Sequence, residues 1–262
     1  MKFDLGWACV QLLPNSPYSV HSQSPDFLLG LAFERQRGVH AVADGERHDF
    51  DAWPGALACT APGVNVFSES AAGGEYLTLH VAAELLEQNQ QRAWKAPRTV
   101  FQGSRRAMAL CMALRRMLLT PHPDPQHFDE VAALLLAHGL SLLSGPPQGS
   151  QTRAYANEKQ LAGTLNFIED QLHEPLTLQT LADTAQLPPP RFLRLFTRAV
   201  GTTPHAYVSE RRLQRARQLL RTSGLSIASV ALECGFAHQS HMGAAFKAKL
   251  GCSPKQYRAD RS

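Results

Sequence analysis

The chain has 262 residues, 44% of them hydrophobic, which is enough to bury a core and too apolar for wholesale disorder. No run of 18 uninterrupted apolar residues occurs, which speaks against a membrane span, and Met1–Val10 carries Asp4 and lacks the apolar stretch of a secretory signal. The net charge of +4 is unevenly placed: residues 157–262 hold 14 Lys/Arg against 8 Asp/Glu, residues 1–156 hold 12 against 14, and a basic C-terminal part of this kind suits a polyanionic partner. Cys9, Cys59, Cys111, Cys234 and Cys252 are scattered singly, as expected of structural thiols in a reducing cytoplasm.

Residues 27–81 read as short strands separated by turns. Asp44-Gly45 between β-prone runs is a hairpin signal, and Pro54-Gly55 and Pro62-Gly63 mark two further turns around the run 56–60. Residues 76–81 read as another strand. This punctuation predicts a small sandwich or barrel. The segment 68–75 reads as a mobile loop, a candidate lid. From Ser104 the pattern turns helical. One helix runs to Leu119, ahead of Pro121 and Pro123, and a second carries Phe128, Val131, Leu134, Leu135, His138 and Leu142 at 3–4 spacing. Gly145-Pro146-Pro147 and the polar residues after it read as a linker. The predicted division is a sensor and dimerisation domain over 1–145, a linker over 146–156 and a helical domain over 157–262.

The helical part contains an internal repeat. Leu176, Leu178, Leu181 and Ala182 match Leu225, Ile227, Val230 and Ala231 at an offset of 49, whereas Phe196, Gly201, Pro204 and Tyr207 match Phe246, Gly251, Pro254 and Tyr257 at 50. One residue is therefore added in the second copy, in its turn or at the start of its second helix. Each copy reads as a short helix, a turn and a second helix with apolar residues on one side only. That is the helix-turn-helix plan, whose second helix enters the major groove of DNA. In the first copy Arg191, Arg194 and Arg198 share the face opposite Phe192 and Phe196, where guanidinium groups suit phosphates and guanine edges. The second copy carries Gln239, Ser240, His241, Gly243 and Lys247 there, with Ala244 at the place of Arg194. A helix from about Pro204 to Leu220, free of internal proline and glycine, joins the copies and sets their spacing.

These residues resemble the AraC/XylS family of transcription regulators from about Leu161 to Arg258. The long stretch from Ile227 through Gly235-Phe236, Gln239-Ser240-His241-Met242 and Gly251 to Arg258 carries the likeness. The resemblance implies that Pro190, Arg191, Leu193 and Arg194 reach DNA in the first copy, with Arg198 on the same face. It implies the same of Gln239, Ser240, His241 and Gly243 in the second, with Lys247 near the helix end. Pro188-Pro189-Pro190 departs from the family's usual polar helix start, and Ala244 from its usual basic residue. For the N-terminal part the resemblance is one of architecture and position. It implies a cupin-like β-barrel that binds an effector, followed by two helices that dimerise, giving an α+β chain with an all-α double helix-turn-helix domain.

Arg35, Arg37, His40, Trp53, Tyr76 and His80 are the candidates for an effector pocket, since such pockets mix aromatic walls with a few polar anchors. His40, His48 and His80 stand near Glu69 and Glu75, yet no His-x-His occurs, so no metal and no cofactor is assigned. Cys234, His238, His241 and Cys252 are accounted for by the family resemblance rather than by zinc. No nucleophile elbow or hydrolytic spacing is present, so the chain reads as a regulator and not an enzyme. The expected partners are double-stranded DNA, a small-molecule effector, RNA polymerase and a second copy of the chain, with no membrane. The alternatives are a cupin-like enzyme fused to a DNA-binding domain and a regulator switched by a partner protein.

Overall fold

A computed structural model describes residues 1–87, 96–120, 122–145 and 151–259, with only the backbone of 151–160. The chain divides into a first compact unit, which holds the strands and the first three helices except for residues 119–122, and a second that contains residues 119–122 and everything from the fourth helix onward.

The first unit holds two antiparallel sheets. One is ordered β1 (Lys2–Asp4), β2 (Ala8–Leu13), β9 (Tyr76–Val81), β4 (Phe27–Ala32), β7 (Leu57–Thr60), β10 (Arg98–Phe101). The other is ordered β3 (Tyr18–Gln23), β8 (Asn65–Ser70), β5 (Gln36–Val42), β6 (His48–Ala52). The barrel expected from the strand spacing does not close, because the two sheets share no strand. The chain instead passes from one sheet to the other at most connections, at Pro54-Gly55, Pro62-Gly63 and Gly73-Gly74 among others. Proline brings no N–H to a ladder, and Gly55, Gly63 and Gly73 have φ of +81°, +73° and +71°, so pairing stops where the chain crosses.

Strand alternation sorts the six-stranded sheet into two faces. Leu29, Leu31, Leu57, Cys59, Leu77 and Leu79 point one way and are all buried. On that side Leu29 packs on Gly139 of α3 (Pro125–Ser144), where a Cβ would come within 2.7 Å of the leucine. α2 (Arg105–Leu119) adds buried Met108, Cys111 and Leu114, and Arg115, which is ion-paired to buried Glu75. Phe3 stacks on Phe128 at 4.2 Å, and the Trp7 indole N–H donates to Asp129. The opposite face carries the small residues Gly30, Ala32, Ala56 and Ala58, and leaves a cavity. A short helix, α1 (Ala83–Glu87), follows β9.

The expected lid is not a loose loop. Residues 68–70 belong to β8, and Gly73, Gly74 and Glu75 are buried. The Ser70 hydroxyl donates to the Arg37 carbonyl and accepts from the Gly73 N–H, while the Gln36 amide donates to the Gly74 carbonyl. The polar, glycine-rich composition that suggested mobility serves a tight, hydrogen-bonded crossing. Residues 146–150 of the expected linker lie outside the described residues, and from Gln151 the chain is helical.

The second unit contains α4 (Gln151–Asp170), α5 (Leu178–Thr184), α6 (Pro189–Val200), α7 (Pro204–Thr222), α8 (Ile227–Glu233), α9 (Gln239–Leu250) and α10 (Pro254–Ala259). The sequence repeat is a structural repeat. Thr177 and Ser226 cap α5 and α8, accepting from Thr180 N and Ser229 N, and Thr203 and Ser253 open α7 and α10 in the same way. Gly201 and Gly251 end α6 and α9 in the left-handed conformation. Phe196 meets Tyr207 edge-on at 5.7 Å, and Phe246 meets Tyr257 at 5.6 Å. The added residue lies in the turn: Leu187-Pro188 precedes α6, whereas Phe236-Ala237-His238 precedes α9.

The two turns use different residues for one left-handed position. Gly235 has φ +76° and Gln186, its equivalent, has φ +55°. At Gly235 a Cβ would also come within 2.1 Å of the Leu172 carbonyl oxygen. Gly235→Ala is therefore expected to lower stability by about 1–3 kcal/mol, whereas Gln186→Gly is neutral or slightly stabilising. Chemical denaturation of the two variants measures this; equal losses would mean that the close approach at Gly235 carries no weight.

Candidate nucleic-acid interface and cavity

α6 is sharply two-sided. Phe192, Phe196 and Val200 are buried, and Pro190, Arg191, Arg194 and Arg198 are exposed. Leu193 is half-buried at the edge between the faces. Among the described residues Arg191, Arg194 and Arg198 make no ion pair, so one helix face presents three uncompensated charges. Prolines fill the first turn without harm, because those N–H groups have no helical partner, and Pro188 caps through its carbonyl, which accepts from Phe192 N.

α9 buries Met242, Phe246 and Leu250 and exposes Gln239, Ser240, His241, Ala244 and Lys247, with Gly243 half-buried. His238 caps it, its Nδ1 accepting from His241 N at 3.1 Å, a role that the sequence reading did not assign. The His241 ring stands edge-on to Phe236 at 5.4 Å. This face is small, polar and nearly uncharged.

α7 joins the two halves and spans 19 residues, two more than its predicted end at Leu220, or about 28 Å at ~1.5 Å per residue. Its arginines divide by role. Arg211 is buried and forks onto both carboxylate oxygens of Glu169, at 2.7 and 2.8 Å. Arg212 donates to the carbonyls of Leu172 and Glu174, and Arg217 to the Tyr257 hydroxyl. Arg215 and Arg221 are exposed. Helical phase does not separate these sets, since Arg211 and Arg215 share a side of α7, as do Arg217 and Arg221; the partners Glu169 and Tyr257 do.

Residues 181–260 match the family model described as "Helix-turn-helix domain". The chain is 26% identical to the HTH-type transcriptional regulator ExsA of Pseudomonas aeruginosa, over 92% of this chain and 91% of that protein. It is 37% identical to the probable transcriptional regulator LumQ of Photobacterium leiognathi, over 35% of this chain. That match spans 37% of LumQ's own length. A solved transcriptional regulator of Chromobacterium violaceum, described as containing an AraC-type DNA-binding domain, is 30% identical over 41% of this chain and 96% of that one, with a TM-score of 0.38. Residues 181–260 thus form a helix-turn-helix domain similar to those of AraC/XylS-type transcription regulators.

The AraC/XylS-type domain is accompanied, in the first unit, by a cavity of about 380 Å³ between the two sheets. Of the six residues expected to line a pocket, His40 and Tyr76 do so. Arg35, Arg37, Trp53 and His80 do not line it. Arg35 forks onto Asp51, and Arg37 stands 3.8 Å from the same carboxylate. Trp53 is buried under the Arg35 guanidinium, and His80 hydrogen-bonds Thr78. Tyr18, Gln36, Arg98 and Gln102 line the cavity and escaped the sequence reading, which placed no strand at β3 or β10. The period of two in Arg98, Val100 and Gln102 was the available signal.

Tyr76 lies across Gly30, where a Cβ would come within 2.2 Å of the phenol oxygen. The Tyr18 hydroxyl is 3.2 Å from Ser68 Oγ. His40 Nε2 is 2.8 Å from His48 Nε2, a bond that needs one neutral acceptor nitrogen. Burial, then the neighbouring His48, then Arg98, lower the His40 pKa to about 4. Burial also lowers His80.

His40 is thus neutral when folded and takes up its proton at higher pH when unfolded. The unfolded chain binds more protons between about pH 6.5 and 4, so stability falls as pH falls through that window. Thermal unfolding followed over this range is expected to lose midpoint temperature on acidification, and His40→Gln to lose less of it. An identical pH profile for the variant would remove His40 from the account.

Proposed function

We propose that the chain is a sequence-specific DNA-binding transcription regulator, controlled by a small molecule held in the first unit's cavity. The observation that carries this reading is the matched pair of half-units. Each presents the exposed side of its second helix, and α6 does so with three uncompensated arginines. In this reading α6 and α9 enter successive major-groove segments. Arg191 and Arg194 contact phosphates and guanine edges, with Pro190 and Leu193 in apolar contact and Arg198 on the backbone. Gln239, Ser240, His241 and Gly243 follow the second segment closely, with Lys247 on phosphate. The uncharged α9 reads mainly shape and backbone, because it lacks a long donor at Ala244. The cavity lies among strands that meet α2 and α3, so a bound effector acts by shifting the populations of dimeric or interdomain states. RNA polymerase and a second copy of the chain are the protein partners in this reading. No helix among the described residues is long and apolar enough to cross a membrane.

Arg194→Ala is expected to weaken binding to a bound promoter fragment by about 1–3 kcal/mol and to relax one base position, and Ser240→Ala to weaken it much less. Binding titrations at several salt concentrations measure both effects. Affinity should fall steeply with salt, and a flat response would remove the electrostatic basis.

Spacing gives a second test. α7 is stiff and shorter than the roughly 34–36 Å between successive major grooves, so helix offset or DNA bending supplies the difference. Inserting five base pairs between the two protected segments turns the second onto the far side of the duplex. Footprints are expected to lose one segment, and to weaken also with ten inserted pairs. Undiminished protection of both segments with both insertions would mean that α7 does not fix the spacing.

A further inference from the structure

The cavity contains a charge that no described residue answers. Arg98 lines it from β10, and its Nε is buried without a hydrogen-bond partner among the described residues. A guanidinium offers five donors in a planar fork, and a buried donor left unmade is costly. The one carboxylate on the wall, Asp51, is already met by Arg35 and Arg37. His40, across the cavity on the other sheet, is neutral at physiological pH and adds no second cation. Around this single charge the walls are mostly apolar. Ala56 and Ala58 form a floor with almost no side chain, the Tyr76 ring lies over Gly30 beside them, and Leu28, Phe50 and Val100 stand about it.

The floor is built by register. Gly30 pairs with Ala58 on one side and Thr78 on the other, so the small residues lie side by side across three strands. Flat, apolar space of this kind suits a hydrocarbon or aromatic body. A second orphan, the buried Gln102 side-chain oxygen, lies four residues beyond Arg98 on the same face. That is about 13 Å along the strand, so it is not part of the anion's immediate site.

We propose that the cavity binds an amphipathic monoanion: one carboxylate taken by Arg98, on an apolar body lying across Ala56 and Ala58 beside the Tyr76 ring. This rests on the reading of the cavity as the effector site and names the class of molecule it takes. A single planar fork matches a carboxylate in charge and shape. A dianion would bring a second charge to a site that offers one cation. A cationic head would meet Arg98 with like charge.

The test is calorimetric titration of the full chain with a series of phenylalkanoates of increasing length, and with the alcohols and amines of the same bodies. Carboxylates are expected to bind roughly tenfold or more tighter than the matching alcohols, with the amines weakest. Arg98→Met should bring carboxylate binding down to that of the matching alcohols; Arg98→Lys should keep part of the advantage. Ala58→Phe fills the floor and should abolish binding of every probe. Unfolding midpoints without ligand identify any variant that fails to fold, and the head-group comparison on the unaltered chain stands without the variants. Alcohols binding as tightly as carboxylates, or carboxylates binding Arg98→Met undiminished, would overturn the monoanion and leave the cavity as an effector site. Binding of no probe at all would overturn both.

Discussion

Two adjacent arginines, Arg211 and Arg212, hold the second unit together at its centre. Arg211 fastens α7 to Glu169 near the end of α4, and Arg212 takes the carbonyls of Leu172 and Glu174 just beyond. The same Leu172 carbonyl sits against Gly235, in the turn of the second half-unit. One short stretch after α4 thereby receives the joining helix and the second turn together. α7 also touches α6, α8, α9 and α10, and Arg217 binds Tyr257 of α10. Two small half-units, each with a minimal core, are joined by a helix that turns Glu210, Arg211, Gln214 and Arg217 inward. Among the described residues Arg191, Arg194 and Arg198 of α6 stay exposed and make no ion pair.

The first unit is organised by a different constraint. Its six-stranded sheet is bulky on the helix side and nearly bare on the other. Leu29, Leu57, Leu77 and Leu79 fill one face, while Gly30, Ala58 and Thr78 alternate with them on the other. Period-two alternation of large and small residues makes a wall that is anchored behind and hollow in front. Proline and glycine at the crossings keep the strands in two sheets with space between them. The polar residues that face the space are mostly matched among themselves, as Tyr18 with Ser68 and His40 with His48 are. Arg98 stands apart from that pattern.

The exposed arginines of α6 belong to one unit, the cavity to the other. Buried Glu75 and Arg115 tie the start of β9 to α2, so the strand that carries Tyr76 into the cavity is coupled to a helix outside the sheets. A ligand that prefers one placement of β9 therefore prefers one placement of α2.

By itself the sequence determined the double helix-turn-helix. Its signals are local and periodic: Thr177 and Ser226 as caps, Gly201 and Gly251 as stops, apolar residues three and four apart, and a repeat that states every signal twice. Helix phase also put Arg191, Arg194 and Arg198 on the outer face, because the period of 3.6 fixes which residues share a side. The tertiary structure decided what depended on partners far along the chain. Whether Arg211 and Arg217 turn inward rests on Glu169 and Tyr257, some 40 residues away. Whether segment 68–75 is loose rests on Arg37, Gln36 and Arg115. The cavity, and Arg98 within it, exist only once β10 has paired with β7 and the second sheet has come opposite, since a void is a property of several strands and of no single one.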